Sequence, residues 1–529
     1  MTLIYQYTLY PTWAGLSILY GKLRGNRRFE QRKFHRFLTL GENYITIQKT
    51  PVAKEDIPMT ITRITATENE IRFQLDTPLS DEKLRVSMYS PALGEEVEIC
   101  SLSLRVSGDS FTLSRRLSGR DGITFCYVIA DKNGEVTGKK YVEEIPPARH
   151  DYPYPTASSK KGLQVTMTED ALALGIHHAV LTANLGDFMM EYPDGGNTIY
   201  YRFEGKDYYI RRHVAEYMDS CIKPLSEAGV LVNLVLLNSQ SWLIQVGEKF
   251  WDKIRHPGFE EEGVTSLFDT FREEGCAYFR AFVSFLADRY TREDGTNGNI
   301  VGMIVGNEVN SPWTWANVGE CEMHVFAEMY TSALRLAWQC ASVIWKNIRI
   351  YASLDHCWAL PQEEDPRRYY PGRDLLTAVV SYASREGEIP FHIAYHPYCA
   401  DPYRADFWNE EEAIDSSDTP FITVKNLHVL RDFLAQPPLL TGSESRRILL
   451  SEVGFHSDFT EAGEALQKEA LVRAYDAIRD IPEIDALIYY SHKDNPDEGG
   501  LNLGLWRRKP DSDEADGKKP VWDAYREME

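Results

Sequence analysis

Two rhythms of apolar and polar residues divide this chain. Between Ile57 and about Glu144, apolar positions alternate with polar ones in short runs, such as Ile71-Arg-Phe-Gln-Leu, Leu84-Arg-Val-Ser-Met, Val97-Glu-Ile-Cys-Ser-Leu and Ile123-Thr-Phe-Cys-Tyr-Val-Ile. A period of two sends every second side chain to the same face, so each run predicts a half-buried strand. Turn signals such as Ser107-Gly-Asp and Asp131-Lys-Asn-Gly separate them. Strands at this spacing predict an antiparallel β-sandwich over residues 49–148. The proline-rich stretch that starts Ile145-Pro-Pro-Ala-Arg-His-Asp-Tyr-Pro-Tyr-Pro favours extended backbone and predicts a linker, placed at 149–159. Residues 1–48 are irregular, aromatic and basic, and fit neither rhythm.

From residue 160 to 529 the pattern becomes strand, helix, strand, helix. Gly162-Leu-Gln-Val is a short first strand, followed by a helix ending at Gly175, and Ala179-Val-Leu-Thr-Ala-Asn184 is the second. Val214, Met218, Cys221, Ile222 and Leu225 share one helical face, closed by Gly229 at the C-cap. Strand three, Val230-Leu-Val-Asn-Leu-Val-Leu-Leu237, is apolar on both faces, as a buried parallel strand must be. A helix is predicted from Thr265 to Tyr290, and strand four is Ile300-Val-Gly-Met-Ile-Val305. Strands five to eight follow at Ile348-Arg-Ile-Tyr-Ala-Ser, Phe391-His-Ile-Ala-Tyr, Ile448-Leu-Leu-Ser-Glu and Ala486-Leu-Ile-Tyr-Tyr490, each preceded by an amphipathic helix. Eight such units predict an α/β fold, a (β/α)8 TIM barrel preceded by the smaller antiparallel β-sandwich domain. A doubly wound sheet lacks support, because no strand leads into GxGxxG or GxxxxGK[ST].

In such a barrel the residues at the C-terminal ends of the strands surround the active site. Strand four ends Gly306-Asn307-Glu308-Val-Asn310, and strand seven ends Ser-Glu452-Val-Gly454. Strand two ends at Asn184, strand six at Tyr395-His396-Pro-Tyr398, and strand eight at Tyr490-Ser-His492. Two carboxylates at one mouth suit glycoside hydrolysis, one protonating the leaving oxygen and the other attacking the anomeric carbon. Charged residues seldom end buried strands unless they are paired or functional. Trp313, Trp315 and Trp358 also follow strand ends, where each either stacks on a sugar or packs its own loop. Asn233, in mid-strand, is expected to be a core polar group.

With Asn307-Glu308 after strand four and Glu452 after strand seven, this half of the chain resembles clan A of the glycoside hydrolases. It is also similar to an uncharacterised branch of that clan with an N-terminal β-domain and the Gly306-Asn-Glu-Val-Asn310 phrase. The resemblance implies Glu308 as acid/base, Glu452 as nucleophile and net retention. It gives Asn307 a hydrogen bond to the sugar 2-hydroxyl, and has Tyr395 or Tyr398, with His396, orient Glu452 or touch the sugar. The clan often sets a Trp platform near the end of strand eight; here Tyr490, His492 or Trp506 would replace it.

Bulk properties narrow the alternatives. A formal charge of −22 leaves no basic footprint for a nucleic acid. The run Gly25-Asn26-Arg27-Arg28 is a local exception, read as a solvated patch. An aromatic share of 12%, with 30 Tyr and 11 Trp, tilts towards flat ligands such as sugars. None of the eight cysteines has CxxC spacing, and HExxH, His/Cys clusters and GxSxG are absent, so neither cofactor nor metal is expected. The N-terminus lacks a signal-peptide pattern and no apolar run reaches about 18 residues, which points to the cytoplasm and away from a membrane. The acidic loop Lys493-Asp494-Asn-Pro-Asp497-Glu498-Gly-Gly is expected to be a solvated turn, since it lacks EF-hand spacing. The function expected is a retaining O-glycosidase acting on an oligosaccharide or glycoside. The alternatives are a barrel that binds carbohydrate without cutting it and a barrel hydrolase of other chemistry.

Overall fold

A computed structural model describes residues 60–134, 137–240, 247–509, 512 and 514–528. Residues 1–48, including the basic run, and the first residues assigned to the β-domain lie outside these. In the N-terminal domain β1 (Ile61–Ala66), β2 (Glu70–Tyr89), β3 (Glu98–Ser114) and β6 (Cys126–Ala130) form one antiparallel sheet, with a small ribbon of β4 (Arg116–Leu117) and β5 (Arg120–Asp121). Both β1 and β6 pair with β2, but on its separate halves, opposite residues 71–75 and 85–89.

Between those halves the β2–β3 register shifts around Leu79, which faces Gly108. Gly108 takes a φ of 98°, a conformation that glycine adopts freely, so the expected Ser107-Gly turn becomes a bulge inside one long strand. Bulges bend a ladder, and across this bend Phe73, stacked on its strand partner Phe111 at 4.6 Å, meets Tyr127 edge-on at 5.0 Å. The core of the domain is thus enclosed by two halves of a single sheet. Among the described residues the expected sandwich domain holds this four-stranded antiparallel sheet and the small β4–β5 ribbon.

The barrel closes from β7 (Lys161–Gln164) and β8 (His178–Asn184) through, after the insertion strands β9 (Met189–Met190), β10 (Thr198–Phe203) and β11 (Lys206–Arg211), β12 (Leu231–Leu237), β13 (Ile300–Val305), β14 (Arg349–Leu354), β15 (Phe391–Tyr395), β16 (Ile448–Val453) and β17 (Ile484–Tyr489). The eight barrel strands are all parallel, and β17 pairs with β7 to complete the ring. Each agrees with a strand expected from the sequence to within two residues at either end. Inside, Val180, Ile304, Tyr351, Ala394, Leu449, Ala486 and Ile488 fill the bore.

In chain order the helices are α1 (Thr168–Ala173), α2 (Leu185–Phe188), α3 (Arg212–Glu227), α4 (Glu248–Ile254), α5 (Glu273–Tyr290), α6 (Pro312–Trp315), α7 (Met323–Ser342), α8 (Gly372–Glu386), α9 (Leu427–Leu434), α10 (Glu461–Ile478) and α11 (Pro520–Glu527). Helix α5 starts eight residues later than predicted. Asp269 accepts the backbone N–H of Phe271 and Arg272 at 3.0 and 2.9 Å, a local alternative to helical bonding that holds residues 265–272 in a loop. The linker is extended as expected, but it is fastened to the barrel: Tyr152 and Tyr154 stack on Trp345, whose indole N–H donates to the Tyr152 carbonyl.

The chain finishes with the ribbon β18 (Trp506–Arg508) and β19 (Ala515–Lys518), then α11. Lys519, between them, is fully buried and donates to buried Asp494 at 2.7 Å, and to Ser457 and Asn502. A buried pair loses most when a single partner is removed, because the other charge is stranded. Lys519→Met is therefore expected to destabilise the barrel by about 3–5 kcal/mol. Thermal melting checks this, and Lys519→Met with Asp494→Leu should recover much of the lost melting temperature.

Candidate active site

Three strand ends build the mouth, and their order explains how the chain reaches it. After β13 the backbone turns through Gly306 at φ 78° and Glu308 at φ 39°. A non-glycine residue in that left-handed region costs about 1–3 kcal/mol and persists only where its surroundings impose it. Here they do. The Glu308 N–H donates to Ser353 Oγ at 3.0 Å and the Val309 N–H to the Ser353 carbonyl at 3.1 Å, while Asn310 and Ser311 are both bonded to Asp355. Tyr330 on α7 adds a brace, donating to the Val305 carbonyl and accepting the Ser353 N–H, so that the ends of β13 and β14 share one hydroxyl.

Glu452 leaves β16 two residues before Gly454. A Cβ on Gly454 would lie 1.9 Å from the Tyr490 carbonyl oxygen, so only glycine lets this strand end pass the end of β17. From the loop after β15, Tyr398 donates its hydroxyl to Glu452 Oε1 at 2.9 Å, and His396 Nδ1 lies 2.9 Å from Glu308 Oε1. One oxygen of each glutamate and one ring nitrogen of His396 all fall within 4.8 Å of one another.

The two carboxyl groups have unlike surroundings. Glu308 is 5% exposed, and burial drives its proton affinity far above the usual carboxylate range. The Asp355 charge pushes the same way, opposed only by a hydrogen bond from Trp315. Burial and the nearby Glu308 also raise Glu452, but the Tyr398 hydroxyl pulls it back, and Glu452 keeps partial exposure. Burial holds His396 neutral. Both carboxyl groups are thus raised, Glu308 further than Glu452.

Asp355, His356 and Cys357 form a second close cluster, within 4.8 Å. It does not suit a metal, because donors occupy both Asp355 oxygens and burial holds the Cys357 thiol in its protonated form.

The other residues expected at the site separate into three groups. Trp315 and Tyr398 join the glutamates as described, and Asn307 lies half-buried beside Glu308 with no side-chain hydrogen bond among the described residues. Trp313 faces an open cavity of about 840 Å³, with Arg368 3.9 Å above its ring. Others are engaged elsewhere. Asn184 uses both amide atoms on the backbone of Ser239, at 2.9 and 3.1 Å. Trp358 is buried edge-on to Phe433 and donates to the Ser417 carbonyl, so it packs its loop. Tyr395 is buried in the core between barrel and helices.

At the end of strand eight, His492 and Trp506 both donate to Asp170, at 2.9 and 2.8 Å, while His492 Nδ1 accepts the N–H of Thr166 and Met167. These two therefore fasten the seam between β17 and β7. Tyr490 turns instead to Glu498, donating to its Oε1.

Glu498 corrects the expectation of a solvated acidic turn. It is 2% exposed, its partner in that loop Asp494 is buried against Lys519, and Asn495 donates to it at 2.9 Å. Burial, reinforced by the charge of Glu452, pushes its carboxyl up to about 8. Sequence reasoning missed Glu498, Asp355 and Ser353. The last two stand at the end of strand five, where a scan of strand termini would have found them; nothing local distinguishes Glu498 from a surface acid.

The chain belongs to the family of unknown function DUF5722, whose model matches residues 153–529. No curated protein matches it. Among solved structures it is similar to a family 39 glycoside hydrolase from the gut symbiont Bacteroides cellulosilyticus, at 14% identity and a TM-score of 0.43 over 88% of this chain and 81% of that one. A β-glucosidase from Pyrococcus furiosus aligns at 13% identity and 0.43, over 68% and 82%. A family 1 β-glucosidase from Thermotoga maritima aligns at 12% and 0.40, over 68% and 84%.

Two measurements check the electrostatics. A folded carboxyl near 8 keeps a proton that the unfolded chain releases near 4, so its stabilising contribution is full in acid and is lost as pH rises through that window. Glu498→Gln, neutral throughout, should match wild type in melting temperature near pH 4–5 and exceed it at pH 8. Tyr398→Phe removes a donor that favours the charged form of Glu452, so the Glu452 ionisation followed by infrared difference spectroscopy should move to higher pH.

Proposed function

We propose that this member of the family is a retaining O-glycoside hydrolase working by double displacement. The observation that carries the reading is the approach of one Glu308 and one Glu452 oxygen to within 4.8 Å, in surroundings that raise the proton affinity of the first further than that of the second. Retaining enzymes place their carboxyl groups about 5–5.5 Å apart, whereas inverting ones need about 6.5–9.5 Å to admit a water.

In the first step Glu308 gives its proton to the glycosidic oxygen as a Glu452 oxygen attacks the anomeric carbon. The carbon–oxygen bond breaks, the aglycone leaves as an alcohol, and the sugar is esterified to Glu452. In the second, Glu308, now a carboxylate, takes a proton from water whose oxygen attacks the same carbon and releases Glu452. Tyr398 supports the Glu452 charge at the start and end of the cycle. His396 contacts Glu308 without adding a charge. Asn307, with its amide uncommitted, is the group available for the sugar 2-hydroxyl. Trp313 and its cavity, in the same strand-four loop, offer an apolar face for further sugar units.

Aryl glycosides and an oligosaccharide panel test this directly. Wild type should release sugar, and Glu308→Gln and Glu452→Gln should each lose about 10²-fold or more in kcat/KM. A 2-deoxy-2-fluoro glycoside of the cleaved sugar should label Glu452 covalently, read by peptide mass. A protein that cleaves nothing across the panel, yet melts higher with a sugar bound, is a binding protein.

A further inference from the structure

Asp355 stands one residue beyond β14, is 3% exposed and touches no cation among the described residues. Its carboxylate nevertheless accepts three short hydrogen bonds. Asn310 Nδ2 donates to Oδ1 at 2.6 Å, the Cys357 N–H to the same oxygen at 2.7 Å, and Ser311 Oγ to Oδ2 at 2.6 Å. Three donors on one carboxylate fix its position firmly. Two come from Asn310 and Ser311, the second and third residues after Glu308. Asn310 closes the ring by accepting the Asp355 N–H at 2.9 Å.

We propose that Asp355 is a positioning residue for Glu308, a buried fixed anion that clasps the turn carrying Glu308 and makes loss of the Glu308 proton unfavourable. Both halves follow from the same contacts. The clasp imposes the left-handed backbone of Glu308, with Ser353 holding the N–H of Glu308 itself. The charge acts across a site from which water is largely excluded, where a nearby like charge shifts a carboxyl by about one to three pH units.

The other groups facing Glu308 do not replace this effect. His396 from the β15 end is neutral and Trp315 on α6 is a donor favouring the carboxylate. Cys357 beside Asp355 keeps its proton. His356 is likewise held neutral by burial. Glu452 from β16 is, among the described residues, the other carboxylate facing Glu308, and it loses its charge while the sugar is esterified to it. Asp355 is the anion that persists through that stage, when Glu308 must act as base and then recover a proton. The consequence for catalysis rests on the reading of Glu308 as acid/base; the effect on its ionisation does not.

The test uses the whole protein and two readouts. Infrared difference spectra of wild type against Glu308→Gln, across pH, give the Glu308 carboxyl midpoint without any substrate. In Asp355→Asn that midpoint should fall by about one unit or more. On an active substrate the alkaline limb of kcat/KM should fall with it, while the acidic limb, set by Glu452, stays in place. Asn310→Ala loosens the clasp but keeps the anion, so kcat should drop with the alkaline limb unmoved. If Asp355→Asn does not fold, Asp355→Ser with and without formate makes the same comparison, formate returning the midpoint towards wild type. A midpoint unchanged on loss of the Asp355 charge overturns the proposal whether or not a substrate has been found. A lowered midpoint in a protein that cleaves nothing upholds it and rejects the glycosidase reading instead.

Discussion

A carboxyl group buried with neither a cation nor several hydrogen-bond donors on it holds its proton tightly, and the arrangement at this barrel mouth depends on that rule. Water stabilises a carboxylate far better than a protein interior does, so Glu308, closed in by strand ends and Trp315, is a poor anion before any neighbour is considered. The same desolvation acts on Glu452 but is partly offset by the Tyr398 hydroxyl. Identical side chains are thus given different proton affinities by their neighbours, and the difference exists only because the barrel keeps both from solvent.

Holding this arrangement takes support from several elements at once. Neighbouring strands β13 and β14 share the Tyr330 hydroxyl and the contacts of Ser353 and Asp355, which impose on Glu308 a backbone conformation that an isolated chain would avoid. The end of β16 lies against Tyr490 through Gly454, so the position of Glu452 is coupled to strand eight. Strand eight is in turn tied to the first barrel unit by His492 and Trp506 on Asp170, and to the C-terminal helix by Asp494 on Lys519. Residues expected to touch a sugar here serve the seam that closes the ring. A parallel barrel needs such a seam because its last strand pairs with its first, across the largest separation in the sequence.

The N-terminal domain illustrates a different limit on reading a sequence. Its alternating runs gave the correct strand faces, since period two depends only on which side chains are apolar. They could not distinguish two strands joined by a turn from one strand interrupted by a bulge, because Gly108 serves either equally well. Pairing across the sheet decides between them. The single bent sheet follows from β1 and β6 both choosing β2, a contact between residues far apart in the chain.

What the sequence determined by itself was the periodicity and the strand ends. Eight apolar runs separated by amphipathic helices specify a parallel barrel, and strand order then places Glu308, Glu452 and His396 at one mouth, because every strand of such a barrel ends on the same face. Tertiary structure decided what each strand-end residue meets. Asn184, Trp358 and His492 look as available in the sequence as Tyr398 and Trp315, yet they are committed to Ser239, Ser417 and Asp170. Glu498 looks like a surface acid and is buried beside Tyr490. Hydrogen-bond partners and burial arise between segments distant in sequence, so no local pattern records them, and they are the quantities that set where a proton resides.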